Sequence, residues 1–246
     1  MVVEVNGKKV SYEVIGNGEP LLLVHGWSGT RNSLRKLAAH LAGDFKCYLI
    51  DMPGRGDSEN PDPDWGTDEY ASHLVCFIKA VIKQPTNYIG HSFGGTLGVY
   101  LASTTKLIKK LVLSAPSYRR EGKSYQDVPP VSERSLKKFL KRFKSLRRLY
   151  YRVFHPASEY LKLEHLQSNF VKVTSSDQSD KLKNITADTL IIWGVDDIDT
   201  PLYQAYILNR GISRSILKVY SGYGHELAAY YPDVFAEDVK LFLKRK

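Results

Sequence analysis

The chain has 246 residues, a hydrophobic fraction of 43%, a charged fraction of 25% and a formal net charge of +9. These values are typical of one globular domain with an insertion. A domain of this length buries enough surface to be stable without disulfide bonds. Cys47 and Cys76 are the only cysteines. Each lies in an apolar run, which predicts buried free thiols in a reducing compartment. The first residues do not resemble a leader, and no apolar run approaches the length of a membrane span. We therefore expect a cytoplasmic protein without a transmembrane segment.

Short apolar or β-branched runs alternate with helical patterns along most of the chain. The predicted strands are Val2–Val5, Lys8–Val14, Leu21–Val24, Phe45–Ile50, Thr86–Ile89, Leu111–Leu113, Thr189–Trp193 and Ile216–Tyr220. The predicted helices are Arg31–Leu41, Thr67–Val81, a segment led by Gly95, Pro201–Arg210 and Pro232–Leu243. Apolar strands separated by helices are typical of a mostly parallel sheet that helices cover. The predicted fold class is α/β, with a mostly parallel eight-stranded sheet.

The alternation stops between Ser117 and Asn184. This segment has 16 Lys and Arg residues against 7 Asp and Glu residues, a balance of +9, so it accounts for the whole net charge. We predict a core of residues 1–116 and 185–246 that is interrupted by a basic helical lid, residues 117–184.

The sequence Gly90-His91-Ser92-Phe93-Gly94 follows a predicted strand and precedes a predicted helix. This is the G-x-S-x-G nucleophile elbow in its required setting, where a tight turn strains the serine backbone and presents its hydroxyl at the edge of the sheet. Bulky side chains two residues before or after the serine would collide in such a turn, which favours glycine at both places. Ser92 is therefore the candidate nucleophile.

A serine hydroxyl is a weak nucleophile, so it needs an adjacent base, and the base needs an acid to orient it. His225 is the candidate base, because the loop after the last predicted strand returns to the edge of the sheet where Ser92 lies. His91 neighbours Ser92 in sequence, but we expect it to point elsewhere from the sharp turn. Three carboxylates follow the preceding strand and compete for the role of the acid: Asp196, Asp197 and Asp199.

Acyl transfer also needs two backbone N–H groups that bind the developing oxyanion. The first candidate is the N–H of Phe93, the residue after the nucleophile, where a helix begins and its dipole favours negative charge. The second is the N–H of Trp27, in the turn after the strand Leu21–Val24.

Five motifs occur in a fixed order along the chain: His25-Gly26-Trp27, Asp51-Met52-Pro53-Gly54-Arg55-Gly56-Asp57-Ser58, Gly90-His91-Ser92-Phe93-Gly94-Gly95, Trp193-Gly194-Val195-Asp196-Asp197 and Gly224-His225. Together they resemble the α/β-hydrolase superfamily, in particular small lid-bearing serine esterases similar to those that cleave methyl esters on carrier proteins. In that family the acid follows a strand-ending Gly and two variable residues, and a Pro lies four positions later. The resemblance therefore implies Asp197 as the acid, with Pro201 as that Pro. It implies a structural role for the Asp51 loop.

The triad and the resemblance predict a serine hydrolase that cleaves a carboxylic ester through an acyl-enzyme, with no cofactor and no metal. In this family an Asp at the elbow would indicate epoxide or haloalkane hydrolysis, whereas this chain has Ser92. Thioesterase, acyltransferase and carbon–carbon bond hydrolase activities use the same groups and stay open, as does a non-enzymatic ligand receptor.

The basic lid has three interpretations. Its Lys and Arg residues could solvate amphipathic helices, could bind an anionic substrate or an acidic acyl carrier, or could attach the helical segment Val131–Phe154 to anionic lipid. Nucleic-acid binding is not expected, since no recognition motif accompanies the charge. The apolar stripe of this segment is expected to face Ser92 and to form a substrate pocket. The stripe residues predicted to bind substrate are Phe139, Phe143, Tyr150 and Phe154.

Overall fold

The computed structural model describes residues 1–119 and 163–245. Its strands form one eight-stranded sheet in the order β1-β2-β4-β3-β5-β6-β7-β8. The strands are β1 (Val2–Val5), β2 (Lys8–Ile15), β3 (Glu19–Val24), β4 (Phe45–Ile50), β5 (Thr86–His91), β6 (Ile108–Ser114), β7 (Asp188–Gly194) and β8 (Ser215–Tyr220). Strand β2 pairs antiparallel with β1 and β4, and the other neighbouring pairs are parallel. The predicted α/β class is confirmed.

Seven α-helices lie in the described residues. They are α1 (Arg35–Leu41), α2 (Thr67–Phe77), α3 (Phe93–Thr104), α4 (Gln167–Ser175), α5 (Tyr203–Gly211), α6 (Leu227–Tyr230) and α7 (Pro232–Leu243). A 3₁₀ turn, Arg31–Leu34, precedes α1, and a π-helical turn, Ile78–Ile82, follows α2. Helix α3 begins at Phe93, two residues before the predicted Gly95, so the helix starts directly after the candidate nucleophile.

The central parallel strands are buried on both faces. In β3, Leu22 and Val24 belong to a hydrophobic cluster with residues of α2, α3 and α5. Leu21 and Leu23 point to the opposite face and belong to a second cluster with residues of α1, α6 and α7. This alternation explains why the strand reads as a continuous apolar run, since neither face of a covered parallel sheet meets water.

The connections of the sheet bring four separate loops to one edge. Strands β3, β5, β7 and β8 are parallel to their neighbours, so their carboxyl ends lie at the same side of the sheet. In open α/β sheets this edge is where ligands bind. The loops after these four strands carry Trp27, Ser92, Asp197 and His225, respectively.

The predicted basic lid is described only at its ends. Residues 163–184 contain α4 and two 3₁₀ turns, Glu164–Leu166 and Ser179–Asn184. The segment Val131–Phe154 lies outside the described residues, so the predicted domain boundaries stay a prediction. Across the two described ranges, no helix combines the length and apolar character needed to cross a membrane.

The two cysteines are free thiols in different surroundings. Cys47 is fully buried in β4, as predicted, and burial raises the pKa of its thiol to about 12. Cys76 on α2 is only partly buried, so the prediction of burial was wrong there. Its apolar neighbours Val75 and Phe77 gave the misleading signal, because on a helix consecutive residues point in different directions.

Two glycines allow the elbow to pack tightly against neighbouring backbone. A Cβ atom added to Gly90 would overlap the carbonyl oxygen of Gly94, and one added to Gly94 would overlap the carbonyl oxygen of Val24. These are backbone atoms within the sheet and the helix it supports, so they cannot rotate away.

We expect Gly90→Ala to lower the free energy of unfolding by about 1–3 kcal/mol, because the extra methyl group overpacks a rigid site. Urea unfolding would measure the change. The matched control is Gly43→Ala, since a Cβ there meets nothing within 4 Å, and we expect it to change stability by less than about 0.5 kcal/mol. Equal unfolding midpoints for the two variants would contradict the packing explanation.

Candidate active site

Ser92 occupies a strained turn between β5 and α3. Its backbone angles are φ 50° and ψ −112°, a conformation that non-glycine residues rarely adopt. Hydrogen bonds hold the turn from both sides: Ser92 N donates to the carbonyl oxygen of Ser114 (2.8 Å), and Thr96 N donates to that of Ser92 (2.9 Å). The sheet and the helix together therefore fix a conformation that the isolated chain would avoid.

The loop after β3 lies directly against this turn. Gly94 N donates to the carbonyl oxygen of His25 (3.1 Å). A Cβ atom placed on Gly26 would be 3.4 Å from the Cβ atom of Ser92. Within the described residues, the backbone N–H groups of Trp27 and Phe93 donate no hydrogen bond. Both are therefore available to a ligand at Ser92.

His25 holds this loop in place as a neutral imidazole. Its Nε2 accepts a hydrogen bond from Met52 N (3.1 Å), so Nδ1 carries the proton and donates to the carbonyl oxygen of Gly26 (2.7 Å). Burial is the main cause that lowers the pKa of His25 to about 4. His25 therefore has a structural role rather than that of a base.

Asp197 and His225 form a hydrogen-bonded pair. His225 Nδ1 donates to Asp197 Oδ2 (2.8 Å), which also accepts from the hydroxyl of Thr200 (2.7 Å). Asp197 Oδ1 accepts from the backbone N–H groups of Asp199 (2.9 Å) and Thr200 (2.8 Å). Of the three competing carboxylates, Asp197 is thus the buried one that meets His225, whereas Asp196 and Asp199 are exposed.

The pair favours its charged form. Burial opposes ionisation of Asp197, but hydrogen bonds from His225 and Thr200 outweigh it and lower the pKa of the carboxyl. Burial also opposes protonation of His225. The hydrogen bond to Asp197, together with the charges of Asp197, Asp199 and Glu226, outweighs that effect and raises the pKa of His225 above its usual value.

Ser92 and His225 line the same cavity, which has a volume of about 790 Å³. Trp27 lies at one wall, and Leu163 and Phe170, from the described end of the predicted lid, also border it. None of the described hydrogen bonds joins the Ser92 hydroxyl to His225. Such contacts commonly tighten only when substrate is bound. The predicted pocket residues Phe139, Phe143, Tyr150 and Phe154 lie outside the described residues.

His91 was expected to point away from the site, and this expectation was wrong. Its ring centroid lies 5.0 Å from that of His225, and both rings border the cavity. His91 Nε2 lies 3.3 Å from Glu226 Oε2, and this contact is the first cause that lowers the pKa of Glu226. The sequence shows that Glu226 directly follows His225, which places a carboxylate near the site. It gives no sign that His91 is the residue that contacts this carboxylate.

Arg55 is a second residue that sequence reasoning missed. It belongs to the Asp51–Ser58 loop, and its guanidinium carbon lies 4.2 Å from the centroid of the Trp27 ring. Arg55 Nε also donates to the carbonyl oxygen of Trp27. The Trp27 ring packs against Phe93 at a centroid distance of 5.0 Å. The Asp51 loop therefore fixes the position of one candidate oxyanion amide relative to the other.

Comparison with known proteins identifies the family to which this fold belongs. Residues 19–175 match the family model described as alpha/beta hydrolase fold, so the chain belongs to that family.

Two curated relatives are hydrolases. The chain is 29% identical over 110 residues to a soluble epoxide hydrolase of Corynebacterium sp. (strain C12), and 30% identical over 107 residues to a pimeloyl-[acyl-carrier protein] methyl ester esterase of Xanthomonas campestris pv. campestris. Each match covers 44% of this chain, and 38% and 40% of the relatives, respectively. The chain thus matches less than half the length of these relatives.

A solved structure shows the same fold over nearly the whole chain. The esterase EaEST from Exiguobacterium antarcticum superposes with a TM-score of 0.78 and 22% sequence identity, and the match covers 99% of each chain. At this identity the similarity shows the fold.

Proposed function

We propose that this protein is a serine hydrolase that cleaves a carboxylic ester through an acyl-enzyme. The observation that carries the proposal is the convergence on one cavity of a strained Ser92 and a His225 that Asp197 orients. This is the arrangement of nucleophile, base and acid that acyl transfer requires. The chain order Ser92, Asp197, His225 is that of the α/β-hydrolase fold.

In this mechanism Ser92 Oγ attacks the acyl carbonyl carbon while His225 Nε2 accepts the hydroxyl proton. Asp197 keeps the proton of the imidazole on Nδ1, so that Nε2 is free to act as a base. The amides of Trp27 and Phe93 stabilise the tetrahedral oxyanion. His225 then protonates the leaving alcohol, which gives the acyl-enzyme. A water molecule, deprotonated by His225, releases the acid and regenerates Ser92.

The test combines a substrate screen with covalent labelling. Purified protein is incubated with p-nitrophenyl esters, thioesters and carrier-bound methyl esters, and separately with a fluorophosphonate. We expect ester hydrolysis, and peptide mass spectrometry should place the label on Ser92. Absence of both hydrolysis and label would favour the non-enzymatic alternative, whereas faster thioester cleavage would favour the thioesterase alternative.

The proposed base predicts a definite pH dependence. His225 must be unprotonated to accept the serine proton, so kcat/KM should rise with pH through the pKa of His225, which is raised. Because Glu226 contributes to that increase, Glu226→Gln should move the rising limb to lower pH. Asp233→Asn is the control, since this exposed residue on α7 does not border the cavity. A Glu226→Gln profile that coincides with the control would contradict the electrostatic effect of Glu226 on the pKa of His225.

A carrier-bound ester is the substrate that the charge of the insertion favours. Residues 117–184 have a net charge of +9, and acyl carriers are acidic. One relative is named as an esterase of a pimeloyl-[acyl-carrier protein] methyl ester. Complementary charge accelerates and orients the association of two proteins.

We expect the combined variant Lys137→Glu, Lys141→Glu and Arg148→Glu to raise KM for a carrier-bound ester and to leave hydrolysis of p-nitrophenyl acetate unchanged. Added salt should raise the wild-type KM in the same way, because it screens exposed charges. Steady-state kinetics with both substrates would measure this. A KM for the carrier-bound ester that depends on neither charge nor salt would refute carrier docking and would agree with charges that only solvate helices.

A further inference from the structure

His91, His225 and Glu226 form a compact group of metal-binding side chains beside Ser92. One ligand atom from each lies within 4.8 Å of the other two. Two imidazoles and a carboxylate are a donor set that zinc uses in proteins, with a remaining position open to water or substrate. Ligand atoms around tetrahedral zinc lie about 3.4 Å apart, given bonds of about 2.1 Å. The observed separations can close through small side-chain rotations, since Glu226 is 43% exposed.

Both imidazoles are already oriented as metal-ligating histidines usually are. His225 Nδ1 is held by the carboxylate of Asp197, which leaves Nε2 for a ligand. His91 Nδ1 lies 3.3 Å from the hydroxyl of Ser114, which leaves its Nε2 facing Glu226. A hydrogen bond to the other ring nitrogen fixes the tautomer and increases the basicity of the ligating nitrogen.

His91 Nε2 faces the carboxylate of Glu226 from a buried position. The His91 side chain is 3% exposed, and its Nε2 lies 3.3 Å from Glu226 Oε2 without the alignment of a good hydrogen bond. A poorly aligned contact leaves part of the free-energy cost of burying this nitrogen, which a cation bound between the two atoms can remove. The second group of potential ligands, Asp197, Asp199 and His225, is weaker, because both oxygens of Asp197 already accept hydrogen bonds.

We propose that His91, His225 and Glu226 reversibly bind one zinc ion, and that the bound ion inhibits ester hydrolysis. The ion occupies Nε2 of His225, so the imidazole can no longer accept the proton of Ser92. Binding needs neutral imidazoles and an ionised Glu226, and it releases any protons that these groups carry. The inhibitory part rests on the proposed function, whereas the metal site itself does not.

Binding is measured on the full chain with Ser92→Ala, which removes the proposed activity without removing a ligand. Zinc is titrated against a chromogenic chelator. We expect one site, and at least about a 10-fold loss of affinity in Glu226→Gln and in His91→Gln, because each variant removes a ligand. His40→Gln, an exposed histidine on α1, is the matched control. Glu226 is partly exposed, so its variant keeps the test valid even if His91→Gln fails to fold. Equal affinity in Glu226→Gln and His40→Gln would overturn the proposal.

Inhibition is measured separately on the protein with Ser92 intact. We expect zinc to suppress ester hydrolysis, EDTA to restore it, and Glu226→Gln to shift the inhibitory concentration by the same factor as the binding constant. Full activity at a zinc concentration that saturates the site would overturn the inhibitory part. If the protein hydrolyses no ester, the proposed function fails, while the titration still decides whether the metal site exists.

Discussion

Replacing Ser92 with alanine is expected to reduce kcat for ester hydrolysis by about four to six orders of magnitude, the range known for loss of a serine nucleophile. The variant keeps His225, Asp197 and both candidate oxyanion amides, but no acyl-enzyme can form without the hydroxyl. The turn does not need the serine hydroxyl, because the hydrogen bonds that hold residue 92 come from its backbone. The remaining activity should therefore report on oxyanion binding alone.

The measurement pairs steady-state kinetics with fluorophosphonate labelling. Ser92→Ala should lower kcat by the amount given above and should abolish the label. Ser103→Ala is the matched control, since this serine lies on α3 and its hydroxyl donates to the carbonyl oxygen of Tyr100. The control should keep the wild-type rate and the label. Parental activity in Ser92→Ala would refute the proposed nucleophile.

Asp197→Asn is expected to lower kcat by about 10⁴-fold, as in other triads. In the native chain Oδ1 accepts two backbone N–H groups, so the carbonyl oxygen of the new amide should take that position. The NH₂ group would then face His225 Nδ1 and donate to it. This forces the imidazole proton onto Nε2, which can no longer accept the proton of Ser92.

Asp196→Asn is the control for this variant, because it is an adjacent but exposed carboxylate after the same strand. We expect near wild-type kcat for the control and similar thermal unfolding for both proteins. The pH profile provides a second readout, because Asp197→Asn also removes the main interaction that raises the pKa of His225. Equal losses of activity in the two variants would contradict the selection of Asp197.

The strands were predictable because their signal is local. Most of the buried parallel strands contain a short apolar run, and β5 has a β-branched and aromatic one. The predicted and observed ends differ by at most three residues, as for Leu111–Leu113 within β6. Helix bounds were less accurate. The prediction for α2 continued to Val81, whereas the chain changes to a π-helical turn at Ile78. Over so few residues, the spacing of apolar residues does not distinguish an α-helical turn from a wider one.

The elbow turn and the position of His225 could also be predicted from the sequence. A serine between two glycines in a strand–turn–helix setting specifies a tight turn on steric grounds, and the structure has Ser92 at a positive φ with backbone packed against both glycines. The alternation of strands and helices further predicted that His225 returns to the same edge. Both inferences use only chain order and the sizes of side chains.

Contacts between distant loops could not be derived in this way. The residues after β7 offered three carboxylates, and it was the family resemblance that indicated Asp197. The folded backbone shows how this residue turns inward to His225 while Asp196 and Asp199 face solvent. The approach of His91 to Glu226 and the stacking of Arg55 on Trp27 join residues 135 and 28 positions apart, respectively. Periodicity and composition report which face of an element is buried. Which side chains meet there depends on how the loops from four strands pack at one edge, and that packing is decided only in the tertiary structure.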